Sequence, residues 1–219
     1  MLLYGIIIIY LSILIGEGDK LGNVMIKDMN SVQLKKYIKN TKELIEQQLE
    51  EYIKLNNEKL IDNEQINNLR KRAYNIKEIY EYVNWANSKM QINENIASSI
   101  KTIPKRGEIW TCQLGKNIGS EENKVRPVVI IQNNTGNEKG PTTIIAPISN
   151  RKKKIAAHIE IRESDYILVK GEENKITGTV LCEQIKVVSK ARLGRHIATL
   201  NDDFVNKILN LKLKLSIDV

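Results

Sequence analysis

All four prolines of this chain fall at or after residue 104, and the spacing of its apolar residues changes at the same point. Upstream, nothing removes a backbone N–H or forces a break, so long helices are permitted. Ile66, Leu69, Ala73, Ile76, Tyr80, Val83, Asn87 and Met90 recur at alternating steps of three and four, a heptad seam. Asp62-Asn63 and Glu64 supply capping chemistry ahead of it. An earlier helix should start near Asn30-Ser31, with Ser31 as its cap, and carry Leu34, Ile38, Thr41, Ile45, Leu49 and Tyr52 on one face. Asn56-Asn57 and Asp62-Asn63 mark a turn between the two, which makes a helical hairpin.

Downstream the period becomes that of strands. Glu108 to Leu114, Arg126 to Gln132, Thr142 to Ile148, His158 to Ile161 and Gly178 to Val188 are β-rich runs, divided by Gly-, Asn- and Lys-rich loops. Val128 to Ile131 shows no alternation, which predicts burial on both faces. Ala156 to Ile161 alternates and should keep one wet side. Asn201-Asp202-Asp203 should cap a closing helix with Phe204, Ile208 and Leu211 inward. Thr135-Gly136-Asn137 reads as a turn. Short, closely spaced strands with a terminal helix predict a small, barrel-like antiparallel sheet. The class is α+β, in three parts: a hydrophobic leader over 1–24, a helical hairpin over 25–103, and a barrel domain over 104–219.

The leader, Leu2 to Ile15, is shorter than the roughly 20 residues that span a bilayer. It also lacks a basic flank and a cleavage site. Gly16 to Asp19 can be encoded by a purine-rich run such as precedes a start codon, so translation is expected to begin at Met25; the alternative is a short membrane anchor. A cytoplasmic protein is the expectation, with a membrane as partner only if residues 2–15 are translated. Cys112 and Cys182 sit in apolar runs without metal-ligand spacing, which predicts reduced, buried thiols.

The charge is uneven. Through Ile100 there are 13 Lys and Arg against 13 Asp and Glu; from Lys101 onward there are 21 against 13. A polyanion-binding domain beside a neutral helper would have this split. Within the basic half, Lys124 to Asn133 puts the guanidinium of Arg126 at the mouth of a buried strand. The loop Gly119-Ser120-Glu121 lies just before it. The run Ile144 to Ile148 then delivers the hydroxyl of Ser149 at its far end. A cation, a carboxylate and a hydroxyl on neighbouring strand ends suit the handling of a phosphodiester. The structural alternative for Arg126 is an ion pair with Glu121, and for Ser149 a strand-end turn.

Lys105 to Trp110, Gly119 to Glu121, Val125 to Asn133, Pro141-Thr142, His158 to Ile161 and Leu181 to Ile185 resemble the MazF/PemK toxins of bacterial toxin–antitoxin systems in order and approximate spacing. The resemblance runs from about Pro104 to Ile217. It implies an SH3-like barrel, a homodimer, a cognate antitoxin, and sequence-specific, metal-independent cleavage of single-stranded RNA without a cofactor. In such mRNA interferases the RNA's own 2′-hydroxyl attacks, leaving a 2′,3′-cyclic phosphate and a 5′-hydroxyl. The family's essential arginine falls on Arg126 and its loop carboxylate on Glu121. Its essential threonine falls on Ser149, a departure that keeps the hydroxyl and loses the methyl. Residues 31–100 have no counterpart in the resemblance.

Arg126 suits the pentavalent phosphorane, because its planar fork reaches two oxygens while staying charged. Glu121 is the better general base, and Ser149 can donate to a phosphate oxygen or the leaving group. Ser120, Lys124, Arg151, Lys152 and Lys153 are candidate RNA contacts around the site, with Lys154 continuing the charge run. Gln132 is a further candidate RNA contact, and Asn133 and Gln184 are candidate readers of base edges. Trp110 could stack a base, although core packing is the commoner role there. His158 reads as structural. Two rival functions stay open: a gyrase poison of the CcdB type on the same barrel, and a nucleic-acid-binding regulator without cleavage.

Overall fold

The computed structural model describes Ile26 and residues 29–58, 66–99, 102–150 and 155–218. The leader, the capping sequence Asp62 to Glu64 and Arg151 to Lys154 lie outside the described residues. The chain divides into two compact units, residues 1–77 and 78–219.

The first unit holds α1 (Ser31–Glu58) and the beginning of α2 (Ile66–Glu94). The cap of α1 is Asn30 rather than Ser31. Its Oδ1 accepts from the backbone N–H groups of Val32 and Gln33, while Gln33 Oε1 accepts from the N–H of Asn30. This reciprocal box places the polar cap one residue earlier than expected and satisfies donors that the first turn cannot. The expected seams are present on both helices but turned to solvent: Ile38, Ile45, Leu69 and Ile76 are all exposed.

In the second unit α2 continues from Glu78 to Glu94, followed by the short α3 (Ile96–Ser99). Here too the heptad seam faces outward, with Tyr80 67% and Met90 64% exposed. The half-buried face is instead that of Trp85, Ser88 and Ile92.

The rest of the unit is one antiparallel sheet of eight strands: β1 (Glu108–Gly115), β2 (Lys124–Ile130), β3 (Thr142–Ser149), β4 (His158–Glu160), β5 (Tyr166–Leu168), β6 (Thr179–Leu181), β7 (Lys186–Ser189) and β8 (Leu193–Leu200). Their order is β4-β6-β3-β2-β1-β8-β5, with β7 also paired to β3. The sheet curls into a half-barrel, the expected architecture. Val128, Val129 and Ile130 are completely buried, as the unbroken apolar run requires. Alternate residues feed two clusters. Ile109, Val129, Ala146, Ile148 and Val180 join one; Cys112, Leu114, Val128, Ile130 and Ile145 form the other. Both cysteines are free and buried.

Three local differences from the sequence reading have physical causes. Thr135 to Asn137 is not a bare turn but part of α4 (Asn134–Lys139), whose Asn137 is fully buried. That amide accepts from Thr143 Oγ1 at 2.7 Å and donates to Gln132 O at 3.1 Å, while Lys190 Nζ donates to the backbone carbonyl of Asn137. The run Gly178 to Val188 is split by a 3-10 turn at Cys182–Gln184. The closing helix opens with a π-helical stretch, Phe204–Leu209, before α5 (Asn210–Ile217). The wider turn puts Val205 and Leu209 inside with Phe204, and leaves Ile208 and Leu211 exposed.

Candidate active site

β2 and β3 pair through Val128↔Pro147, Val129↔Ala146 and Ile130↔Ile145. Continued by two residues, that register sets Arg126 opposite Ser149, both on the sheet face of Val128 and Ile145. The cation and the hydroxyl thus belong to adjacent strand ends. Ser149 keeps only 2% of its surface, and its strand partner is Thr179 in β6. Gly178 explains how closely that edge is packed. At φ +120° it lies so near Ser149 that an added Cβ would come within 2.7 Å of the Ser149 carbonyl oxygen.

The carboxylate beside Arg126 is Glu122, not Glu121. Arg126 Nε lies 3.3 Å from Glu122 Oε2 and donates to Asn123 O at 3.1 Å. Glu122 is fully buried, whereas the Arg126 side chain is 35% exposed. Among the described residues Arg126 has no other partner, and neither of its terminal nitrogens is engaged by them. Glu122 is turned inward because its backbone is held at both ends. Its N–H donates to Gln184 Oε1 at 2.9 Å, and its carbonyl accepts from Asn117 Nδ2 at 2.7 Å. Glu121 points the other way, to Lys186 Nζ at 2.6 Å. Asn117, Glu122 and Lys186 were not picked out from the sequence, where adjacent glutamates are indistinguishable.

The remaining candidates fall into separate places. Ser120 is exposed on the same loop, and its carbonyl accepts from Gln184 Nε2 at 3.3 Å. The Gln184 amide therefore braces the loop through both of its ends. Lys124 is exposed at the start of β2 with φ +69°, a left-handed conformation that costs a lysine about 1–2 kcal/mol. Gln132 and Asn133 lie beyond the opposite end of β2, about 20 Å from Arg126 at strand spacing. There Asn133 caps α4 through the N–H of Gly136 at 2.7 Å, and Gln132 Nε2 donates to Thr142 O at 3.3 Å. Arg151, Lys152 and Lys153 lie outside the described residues.

Trp110 stacks on His196, with centroids 5.2 Å apart, and its indole N–H donates to Glu108 at 2.8 Å. It is half-buried against the second cluster, the packing role expected for it. His158 Nε2 pairs with Glu183 Oε1 at 2.9 Å. Among the described residues no group of three or more His, Cys, Asp or Glu is gathered as metal ligands, and no helix is long and apolar enough to cross a membrane.

A second feature of this unit adjoins the site. The indole of Trp85 on α2 rests on Gly115 at the end of β1, where an added Cβ would come within 2.0 Å of the ring. Gly115 adopts φ +89°. The guanidinium of Arg192 lies 5.2 Å from the Trp85 ring centre. Lys116 Nζ bonds Glu78 at 2.6 Å and Glu81 at 3.0 Å, and those two hydrogen bonds raise its pKa above the ordinary lysine value.

The second unit is thus an antiparallel half-barrel with the Arg126 guanidinium at the mouth of β2. Residues 105–216 match the family described as PemK-like, MazF-like toxins of type II toxin–antitoxin systems. Endoribonuclease MazF of Staphylococcus saprophyticus is 40% identical over 108 residues, which cover 48% of this chain and 85% of that protein. Solved structures that align include MazF from Deinococcus radiodurans, at 16% identity and TM-score 0.46 over 54% of this chain and all of that one. Another is a mycobacterial endoribonuclease in complex with its cognate antitoxin, at 22% identity and TM-score 0.43 over 53% and 96%. The chain belongs to the PemK-like, MazF-like family of type II toxins.

Proposed function

We propose that the second unit is a sequence-specific endoribonuclease that cuts single-stranded RNA without a metal, acting as a toxin restrained by a cognate antitoxin. The observation that carries the reading is the open fork of Arg126, anchored through Nε alone by Glu122 and Asn123. A guanidinium held this way keeps two parallel N–H groups for the equatorial oxygens of a phosphorane, and stays charged throughout. Family membership and the basic balance of residues 101–219 point the same way.

The chemistry then needs little else from the chain. The RNA 2′-oxygen attacks the adjacent phosphorus as its proton passes to a base. The P–O5′ bond breaks, and the departing oxygen takes a proton. The products are a 2′,3′-cyclic phosphate and a 5′-hydroxyl. Glu121, exposed on the loop that Gln184 braces and paired with Lys186, is the proposed base, and its carboxylate must turn from Lys186 toward Arg126 to reach the 2′-hydroxyl. Ser149 is the proposed donor to a phosphate oxygen or to the leaving group. Ser120, Lys124 and Arg151 to Lys153 are proposed to hold the flanking strand. A homodimer in the cytoplasm is the working form proposed, with the exposed seam of α2 available for association with a second copy or the antitoxin.

The test is incubation of the purified chain with mixed-sequence RNA in EDTA. Cleavage with cyclic phosphate ends is the expected result; an absolute need for magnesium overturns the mechanism. Intact RNA together with tight oligonucleotide binding would favour the regulator instead.

A further inference from the structure

We propose that Thr179 is a second hydroxyl of the site, donating to the backbone phosphate next to the one that Arg126 holds; this rests on the ribonuclease reading. Three strand pairings place Thr179 on the sheet face of Arg126. Arg126 is paired with Cys112, which belongs to the same apolar cluster as Val128. The β2–β3 register, continued by two residues, sets Ser149 opposite Arg126, and Ser149 is paired directly with Thr179. Directly paired residues of antiparallel strands point to one side of the sheet. Their neighbours Ile148 and Val180 are also paired and lie buried in the other cluster, so Ser149 and Thr179 turn away from it. Arg126, Ser149 and Thr179 therefore form one row across β2, β3 and β6.

The two hydroxyls of that row differ in access. Ser149 keeps 2% of its surface, whereas Thr179 is half-buried and its side chain has no partner among the described residues. A hydroxyl carries one donor proton and rotates to suit its acceptor. Thr179 stands two strand spacings from Arg126, roughly 9–10 Å, too far for its short side chain to share the phosphorus under the guanidinium. The next phosphate of a strand laid along the row comes over it instead.

The row also has an end. Glu160 of β4 is paired with Thr179 on its far side, is exposed, and has no partner among the described residues. Its carboxylate repels a phosphate, so the row offers two phosphate positions and no third. A neutral hydroxyl adds little to the long-range attraction of the lysines. What it fixes is the register of the strand, and with it the seat of the scissile phosphate on Arg126.

The experiment uses the full chain, its Thr179→Val and Thr179→Ser variants, and a short RNA with the sequence that wild type cuts, read from the ends of cleaved mixed-sequence RNA. Valine keeps the branched shape and suits a strand, so the hydroxyl alone is lost. Thr179→Val should raise KM about tenfold with kcat unchanged, and Thr179→Ser should stay within about twofold of wild type. At one of the two linkages that flank the cut, an uncharged methylphosphonate should erase the difference between the valine variant and wild type. An unchanged KM, a loss confined to kcat, or a valine effect that persists with methylphosphonate at either linkage overturns the contact and leaves the ribonuclease reading standing. Should the wild type cut nothing, binding of a mixed-sequence 2′-O-methyl RNA oligonucleotide, which lacks the nucleophile, decides by anisotropy. Fivefold weaker binding by Thr179→Val keeps the phosphate site without cleavage, and equal or absent binding overturns it.

Discussion

Arg126 and Glu122 meet through one nitrogen, Nε to Oε2 at 3.3 Å, although the carboxylate is fully buried and the guanidinium is one-third exposed. The asymmetry separates stability from activity. Arg126→Ala takes a cation away from a buried carboxylate and should cost about 1–3 kcal/mol as well as at least about 100-fold in cleavage. Arg126→Lys keeps the charge and should melt near wild type, yet lose most activity with the fork. Adding Glu122→Gln to Arg126→Ala should restore the melting temperature but not cleavage. Thermal melts and initial rates check all three; full activity in the lysine variant would show that the fork is not what matters.

The β2–β3 register, continued by two residues, sets Ser149 opposite Arg126, and Ser149 is nearly covered. Ser149→Ala removes only an oxygen and should melt within a few degrees of wild type while cutting RNA at least about tenfold more slowly. Ser149→Thr restores the residue that family resemblance places here and should be tolerated. A wild-type rate in the alanine variant would make the hydroxyl purely structural.

Gly115 has no room for a methyl group. Gly115→Ala meets both a positive φ and the Trp85 ring, and a loss of about 1–3 kcal/mol is expected. Trp85 should be displaced, so a red shift in tryptophan emission would accompany the lower melting temperature. Unchanged emission would mean that the helix can re-seat without leaving the sheet.

Truncation should distinguish the two parts of α2. Residues 78–219 are expected to melt cooperatively, because the contacts of Trp85 with Arg192 and of Glu78 and Glu81 with Lys116 are retained. Residues 104–219 lose them and should melt lower and aggregate more readily. Neither truncation should raise cleavage more than about tenfold over the full chain at equal concentration. A larger rise for 104–219 would identify the helices as an inhibitor.

Burial pushes the Cys112 and Cys182 thiols up to about 12, with Glu183 adding to the rise at Cys182. Their ordinary value is 9. Below pH 9 folded and unfolded chains both hold these protons. Between pH 9 and 12 only the unfolded chain sheds them, so stability should fall as pH rises, by up to about 1.4 kcal/mol per unit for each thiol. Denaturant melts across that range check the sign, and Cys182→Ala should flatten the slope.

Much of the fold could be read from residues whose local signal matched their tertiary role. Val128 to Ile131 is buried on both sides because nothing polar interrupts it. β8 was missed for the opposite reason. Arg195 and His196 break its apolar pattern, and only its pairing with β1 and β5 makes it a strand. Phe204 was placed correctly in the closing helix, but a 3.6-residue period could not anticipate a π-helical stretch that brings in Val205 and Leu209. At the site, the sequence pointed to a carboxylate, Glu121, in the loop before β2. It could not say which of the adjacent glutamates faces Arg126, since Asn117 and Gln184 decide that from elsewhere in the chain.

β1 lies between β2 and β8, and its pairing with β8 joins Glu108 to Thr199. During synthesis β8 leaves the ribosome about 90 residues after β1, a delay of several seconds at ordinary elongation rates. Until then one edge of β1 is open, and the pairing that completes the sheet around Cys112 cannot form. Each newly made molecule therefore passes through an interval in which β2 and its arginine have emerged but the sheet behind them is unfinished. That interval sets the earliest moment at which the finished domain can meet a substrate or a partner.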